Sequence, residues 1–386
     1  MVFRGEAMAV SKIKLGYISG FYLLKRDMRM YEELPKHGVD VTVFSNTDYK
    51  DIGPLHIPVV HLKRWGQYNR IPVMRHGVQY FFPRDRWLFG LNKATQDMDV
   101  LNSFEIFNAF SYQAVQTGKP TVISVIDNIP YNYRFSYRKM VETVKEKAAH
   151  FIAGTETAKF MLRVEGVPEE RISVIPLAQD KQEFTPGPKD YSIVKGHGIT
   201  SKHTIILFVG RVLDSQKGVS DLIHAFSVLC KKRPNTRLVI GGKGEDLDKM
   251  KELVRRLNIE KYVVFLGFVP NLVKLYRLCD IFCGPSRITS QWQEQFGYTM
   301  IEAMSCAKPV VTTQSGSLQD IVKHEETGLL VGIQNPYALY QALLRLVDDP
   351  ERREQFGKNG RKWVESQYAL DVVAKKMAAV FKKVVW

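Results

Sequence analysis

Glu294 and Glu302 stand eight positions apart in the segment Glu294-Gln-Phe-Gly-Tyr-Thr-Met-Ile-Glu302, on either side of a Phe-Gly pair. Glu294 precedes the glycine, in what reads as a loop. Glu302 falls inside an apolar helical pattern made by Met300, Ile301, Ala303 and Met304. A carboxylate before a helix start and a second one two turns on suit a ligand carrying several hydroxyls. The backbone N–H groups of Gly297, Tyr298 and Thr299, which the first helical turn leaves without partners, suit a phosphate. Hydroxyls and phosphates together describe a nucleotide sugar.

Cations with matching chemistry lie upstream. Phe208-Val-Gly210-Arg211 ends an apolar run, and Lys217-Gly218 follows before a helical pattern. Two fixed cations in one β-to-α connection suit a diphosphate leaving group, whose negative charge grows as the sugar departs. Gly241-Gly242-Lys243-Gly244-Glu245 also follows a strand pattern. It lacks the six-residue dinucleotide fingerprint and its later acidic partner, so it is weak as an NAD signature. It does suit a tight turn that lets backbone approach a nucleotide. Gly20 closes the first strand pattern, where close approach to a donor and a plain turn explain it equally. Asp127 and Asn128, in Val125-Ile-Asp-Asn-Ile-Pro130, could line an acceptor or simply form a turn before proline. The nine histidines show no metal spacing, and no serine stands in a nucleophile elbow.

The elements that must position these residues alternate. A strand over 13–19, a helix over 25–37 closed by Gly38 and a strand over 39–44 open a parallel α/β sheet. Short strands at 100–101, 121–125, 151–153 and 173–175 follow, with a helix over 137–147. Thr185-Pro-Gly-Pro and Lys195-Gly-His-Gly mark a break. Beyond it the alternation sharpens: strands at 204–209, 237–240, 263–266 and 281–283, helices at 219–231, 247–257 and 272–278. The pattern predicts two Rossmann-like α/β domains facing each other across a cleft. Ligands in such sheets bind beyond the carboxyl ends of the strands, where every motif above falls.

Composition narrows the class. At 386 residues, 45% hydrophobic and 25% charged, the chain exceeds one ordinary core. No apolar run approaches the roughly 18 residues of a membrane span, and residues 1–14 lack a secretory apolar region. Cys230, Cys279, Cys283 and Cys306 read as buried reduced thiols, with Cys279 and Cys283 on one buried strand; a cytoplasmic protein is expected. The net charge of +15 implies an anionic partner. Basic residues crowd 61–93 (Lys63, Arg64, Arg70, Arg75, Arg84, Arg86, Lys93), interleaved with Trp65, Tyr68, Tyr80, Phe81, Phe82, Trp87 and Phe89. Arg134, Arg138, Lys139, Lys145 and Lys147 follow Tyr131 and Tyr133. Such mixtures favour a lipid interface or stacked bases.

The second half resembles the retaining nucleotide-sugar-dependent glycosyltransferases of family 4, which have the GT-B fold. The motifs come in that family's order: Val209-Gly-Arg211 with Lys217-Gly218, Gly242-Lys-Gly244, Cys279-Asp-Ile-Phe-Cys-Gly-Pro-Ser286, the paired glutamates 294 and 302, Lys308-Pro-Val-Val311 and Glu326-Thr-Gly-Leu-Leu-Val331. The first half matches more loosely, through Gly154-Thr-Glu156, Val174-Ile-Pro176 and Phe184-Thr-Pro186. The resemblance implies that Arg211 and Lys217 grip the donor diphosphate and Glu294 meets the transferred sugar. It implies that amides around Phe296, Gly297 and Tyr298 hold sugar and phosphate oxygens, that Glu302 binds the ribose, and that backbone near Gly267 and Phe268 reads the base. It implies no metal and no cofactor, the donor being a substrate. Many members carry His-Asp where this chain has Ile126-Asp127, so a catalytic histidine does not carry over, and Asp127 or Asn128 is nominated in its place. Ala307 replaces a usual glycine before Lys308, and the first strand ends in one glycine where a pair is usual.

The expected domains are an acceptor-binding unit over 1–185, a linker over 186–203, a nucleotide-sugar-binding unit over 204–365 and a C-terminal helix over 366–386 that returns to the first unit. The expected reaction is a front-face transfer with retained configuration, to a glycan, sugar or lipid-linked acceptor. The expected setting is the inner face of an anionic plasma membrane. Three other readings share these features, one of them an inactive sugar-nucleotide binder, against which the intact Glu294, Arg211 and Lys217 argue. A GT-B epimerase would need acid and base groups on the sugar ring. A basic nucleic-acid binder would explain the charge, but no nucleic-acid motif accompanies it, and no nucleic acid is expected.

Overall fold

The computed structural model describes residues 12–19, 23, 25–46, 55–63 and 87–386. Gly20 lies outside them, as does the basic-aromatic stretch from Arg64 to Arg86. The described residues form two parallel sheets. The first holds β1 (Ile13–Ser19), β2 (Val39–Ser45), β3 (Val59–His61), β4 (Val100–Phe104), β5 (Thr121–Val125), β6 (His150–Ala153) and β7 (Ile172–Val174). Its order is β3-β2-β1-β4-β5-β6-β7. The second holds β8 (Thr204–Val209), β9 (Thr236–Gly241), β10 (Val263–Gly267), β11 (Ile281–Gly284), β12 (Val310–Thr313) and β13 (Gly328–Val331), in the order β10-β9-β8-β11-β12-β13. Both sheets reverse direction of growth beside their first strand, between β1 and β4 and between β8 and β11. Crevices form at such points.

The strands are nearly continuous apolar runs because helices cover both faces. Along β8, Ile206 and Phe208 enter one core with the helix Val219–Lys232, while Ile205, Leu207 and Val209 enter the other with Met300, Ile301 and Met304. Alternation of side chains thus joins two cores through one strand.

The helix Leu370–Val385 follows the second domain but buries Val373, Ala374, Met377 and Phe381 among Leu15, Tyr31 and Val41 of the first. Arg361, on the preceding helix, helps to pin the crossing: Nη1 donates to the carbonyls of Phe184 at 2.8 Å and Ser305 at 2.7 Å.

Two local readings change. The helix expected over 25–37 is α-helical only over Lys25–Glu33 and tightens to a 3₁₀ turn at Leu34–His37, where Pro35 has no N–H to donate. Cys279 does not lie on a strand: it caps the helix Leu272–Leu278, and only Cys283 sits in β11. All four cysteines are buried thiols. Ala307 has φ 54°, the left-handed region that favours glycine.

Candidate active site between the two sheets

Lys217 closes a one-turn helix, Asp214–Lys217, just after β8. Gly218 follows at φ 60°, and a Cβ there would meet the Pro285 carbonyl oxygen at 2.1 Å. The missing side chain lets the β8 connection lie against the end of β11. Lys217 Nζ then reaches Glu294 Oε2 at 2.6 Å. Ser286 Oγ donates to the same oxygen at 2.9 Å, and the Trp292 ring centre is 4.7 Å from Nζ. Arg287 braces this loop from behind. Its guanidinium grips Asp221 at 2.7 and 2.8 Å and Asp214 at 3.1 Å, so its charge is already matched by two carboxylates.

The main chain of Glu294 is held from both domains. Its carbonyl accepts the Ser317 N–H at 2.9 Å and the Asn128 side-chain amide at 2.8 Å. Gly316, at φ 54°, passes so close that a Cβ would meet the same carbonyl oxygen at 2.2 Å. Gln293 Nε2 donates to the Asn128 carbonyl at 2.9 Å, and Gln295 Nε2 to Asp127 Oδ1 at 3.4 Å. Thr155 and Ser317 hydroxyls meet at 2.9 Å. The ends of β5 and β6 therefore grip the loop that presents Glu294.

Asp127 is buried, and burial pushes its carboxyl up, against the N–H groups of Ile129 and Asn128 that favour the charged form. Its Oδ1 takes the Asn128 N–H at 2.8 Å and the Ile129 N–H at 3.3 Å. It forms the turn and also touches the Glu294 loop.

Arg211 does not join Lys217 and Glu294. It extends to Glu245, with Nε 3.2 Å from Oε2 and a second bond from Nη2 to Oε1. Both side chains are more than half exposed. Exposed ion pairs contribute little, so Arg211 can exchange Glu245 for another anion at small cost. Beneath them three strand ends stack. Gly210 N–H donates to the Gly241 carbonyl at 3.0 Å and Gly242 N–H to the Gly267 carbonyl at 2.7 Å. Gly242, at φ 141°, leaves only 1.8 Å between a would-be Cβ and the Gly210 oxygen. Phe268, beyond Gly267, is 71% exposed.

Gly297, at φ 67°, is the N-cap of the helix Tyr298–Ser305. Phe296 before it is buried against Tyr298 and Tyr368. Thr299 sits half-buried in the first turn. Tyr298 crosses to the first domain: its hydroxyl donates to Asp27 Oδ1 at 3.2 Å, and the Arg26 guanidinium lies 3.6 Å from its ring centre. Glu302 is 5% exposed and accepts the Tyr276 hydroxyl at 2.7 Å. Burial pushes it up to about 7, against that hydrogen bond and the charge of Arg26. A cavity of about 280 Å³ opens beside Tyr298, with Ser19, Arg26 and Asp27 among largely apolar walls that include Ile126, Ile152 and Met377.

The structure thus brings Lys217 and Glu294 into contact, adds Asp127 through Gln295, and leaves Arg211 and Glu302 with other partners. Sequence reasoning missed Ser286, Trp292, Ser317 and Tyr276. Ser286 ends the Cys-Gly-Pro-Ser motif, a strand-end signal that could have found it. Nothing along the chain foretells Tyr276 meeting Glu302.

Two parallel-sheet Rossmann-like domains with strand-end loops converging between them define the GT-B class. Residues 192–363 match the family described as glycosyl transferases group 1, and residues 28–183 match glycosyltransferase family 4. The chain belongs to these glycosyltransferases, matched domain by domain. An uncharacterized glycosyltransferase of Methanocaldococcus jannaschii is 34% identical over 220 residues, covering 56% of this chain and 55% of that one. The D-inositol 3-phosphate glycosyltransferase of Corynebacterium jeikeium is 34% identical over 199 residues, 48% of this chain and 46% of its own. The chain thus spans about half the length of the curated relatives it matches. Among solved structures, Anabaena HepE in complex with UDP-glucose superposes with a TM-score of 0.72 at 20% identity, covering 96% of this chain and 100% of that one. A Rickettsia africae glycosyltransferase gives 0.76 at 18%, covering 97% and 99%. Among the described residues no helix is long and apolar enough to cross a membrane.

Proposed function

We propose that the chain is a retaining glycosyltransferase that moves a hexosyl group from a nucleotide sugar to the hydroxyl of a glycan or lipid-linked acceptor. The observation that carries this reading is the contact of Lys217 with Glu294, made between loops at the carboxyl ends of β8 and β11 and roofed by Asn128 of the first domain. Lys217 and Arg211 neutralise the departing diphosphate, the charge that grows in the transition state. Glu294 orients the sugar hydroxyls, and the amides after Phe296 hold sugar and phosphate oxygens. Glu302 meets the ribose, and backbone near Gly267 and Phe268 meets the base. Gly210 and Gly242 keep the strand ends open to the nucleotide.

The acceptor oxygen bonds to the anomeric carbon on the face the diphosphate leaves. The bond from that carbon to the diphosphate breaks, and the acceptor proton passes to the departing oxygen. No protein nucleophile is needed, configuration is retained, and protein cations take the role of a metal. Neither metal nor cofactor enters this reading. Asp127 lies on the acceptor side of the Glu294 loop.

For the acceptor, the largely apolar cavity beside Arg26 supports a molecule with an apolar portion. The +15 charge and the exposed Tyr131 and Phe135 among Arg134, Arg138 and Lys139 support peripheral attachment to an anionic membrane. A cytoplasmic enzyme at the inner face of the plasma membrane follows from that reading.

The test is a thermal-shift screen of nucleotide sugars and nucleoside diphosphates, followed by measurement of diphosphate release with acceptor present. A stabilising donor whose sugar appears on the acceptor with its anomeric configuration kept is the expected result. An inverted product removes the front-face route, and transfer that collapses on chelation removes the metal-free one. Co-sedimentation with liposomes that does not depend on anionic lipid removes the membrane assignment.

A further inference from the structure

At the carboxyl end of β4 the chain turns through Glu105, whose φ is 61°. A long side chain in this region stores strain, and such strain gathers at working sites. Glu105 is 5% exposed. Its Oε1 accepts the backbone N–H of Ile126 at 2.9 Å and of Asp127 at 3.1 Å. Its Oε2 is buried and has no hydrogen-bond partner. The backbone it holds is the turn whose next residue, Asn128, donates to the Glu294 carbonyl at 2.8 Å and to Ser317 Oγ at 3.1 Å. A continuous path therefore runs from a buried carboxyl on a strained backbone in the first domain to the main chain of the residue paired with Lys217.

We propose that Glu105 is a positioning residue for sugar transfer: it sets the Ile126–Asn128 turn, and through Asn128 the placement of Glu294. This deepens the transferase reading and rests on it. Glu105 does this work as a neutral acid. A charged carboxylate with one oxygen buried and unpartnered, beside the buried carboxyl of Asp127, is costly. Burial and then the charge of Asp127 push Glu105 up to about 8, against the two backbone N–H groups. The other acid within reach is Glu165, which already has Lys145 Nζ at 3.7 Å, the Tyr131 N–H at 2.7 Å and the Tyr133 hydroxyl at 3.4 Å. The sign follows. A carboxyl raised in the folded state stabilises the fold below its ordinary range, and that contribution is lost as pH rises through about 8. Charging Glu105 then loosens the turn and Glu294 with it.

The test uses the full chain and the variants Glu105→Gln and Glu105→Ala, with kcat, KM and Tm followed from about pH 6 to about pH 9.5. Glu105→Ala leaves two N–H groups without an acceptor and lowers kcat by about 10²-fold, the scale of a small misplacement. Glu105→Gln retains an acceptor and keeps at least about tenfold more activity than Glu105→Ala. Relative to the parent, it also loses the part of the fall in kcat and Tm that lies between about pH 7 and about pH 8, beyond the range in which Glu302 titrates. The proposal is overturned if parent and Glu105→Gln show the same alkaline fall in Tm, or if Gln is as damaging to kcat as Ala. The Tm comparison needs no donor and survives failure of the transferase reading. That failure would appear separately, as absence of transfer by the parent at every pH.

Discussion

The Lys217 ammonium lies 2.6 Å from a Glu294 carboxylate oxygen across 77 residues of chain. In this arrangement the acid is the resting partner of the cation. In the proposed reaction, a diphosphate entering the site would draw Lys217 away from Glu294 and free Glu294 for sugar hydroxyls. Replacing Lys217 with alanine is expected to lower kcat by about 10²-fold or more, the effect of losing one transition-state donor. Steady-state kinetics with the cognate donor check this. A change confined to KM would mean that Lys217 binds donor and transition state equally.

Arg211 and Glu245 form an exposed pair at the rim. Glu245→Ala leaves Arg211 without its resting partner, so the KM for donor should fall while Tm stays unchanged. Arg211→Ala should reduce turnover by about 10²-fold, again without loss of thermal stability. Parallel kinetics and melting curves of the two variants decide it. A Glu245 variant that loses activity would show the acid to be part of the site.

Glu302 is raised to about 7 by burial. Its neutral form is therefore favoured in the fold. The stability this contributes is present below the ordinary carboxylate range and disappears as pH climbs through about 7. Glu302→Gln keeps an acceptor for the Tyr276 hydroxyl and cannot charge. It should be more stable than the parent at alkaline pH, by on the order of 2–3 kcal/mol, and should lose most of that advantage well below pH 7. Urea melts at two pH values on either side measure the difference. An advantage that does not change with pH would rule out titration of Glu302 as its source.

Ala307 occupies a left-handed conformation at φ 54°. Glycine there removes a Cβ penalty of roughly 1–2 kcal/mol and adds about 0.4–1 kcal/mol of unfolded-state entropy. Ala307→Gly should therefore stabilise the protein by up to about 1.5 kcal/mol, with transfer unaffected. A destabilised variant in the same melts would mean that the alanine methyl makes packing contacts worth more than the strain.

Two Rossmann-like domains were legible along the chain because apolar runs of strand length alternate with helical patterns, and glycines mark where the strands stop. Gly242 was legible as a tight turn by residue type, whereas the close approach of Gly218 to Pro285 was not. The types at 211, 217, 294 and 302 pointed to a polyol and phosphate chemistry, the reading on which the proposed function rests. Their pairing was not legible. Which acid meets which cation depends on how the loops after β8 and β11 lie against one another, and that is decided by packing between segments far apart in sequence. Arg211 therefore has Glu245 and Lys217 has Glu294. Glu302 turned inward to Tyr276 because one helical face is buried. Glu105 gave no signal at all, since a glutamate at a strand end looks like any surface acid until the fold removes water from around it and leaves one oxygen alone.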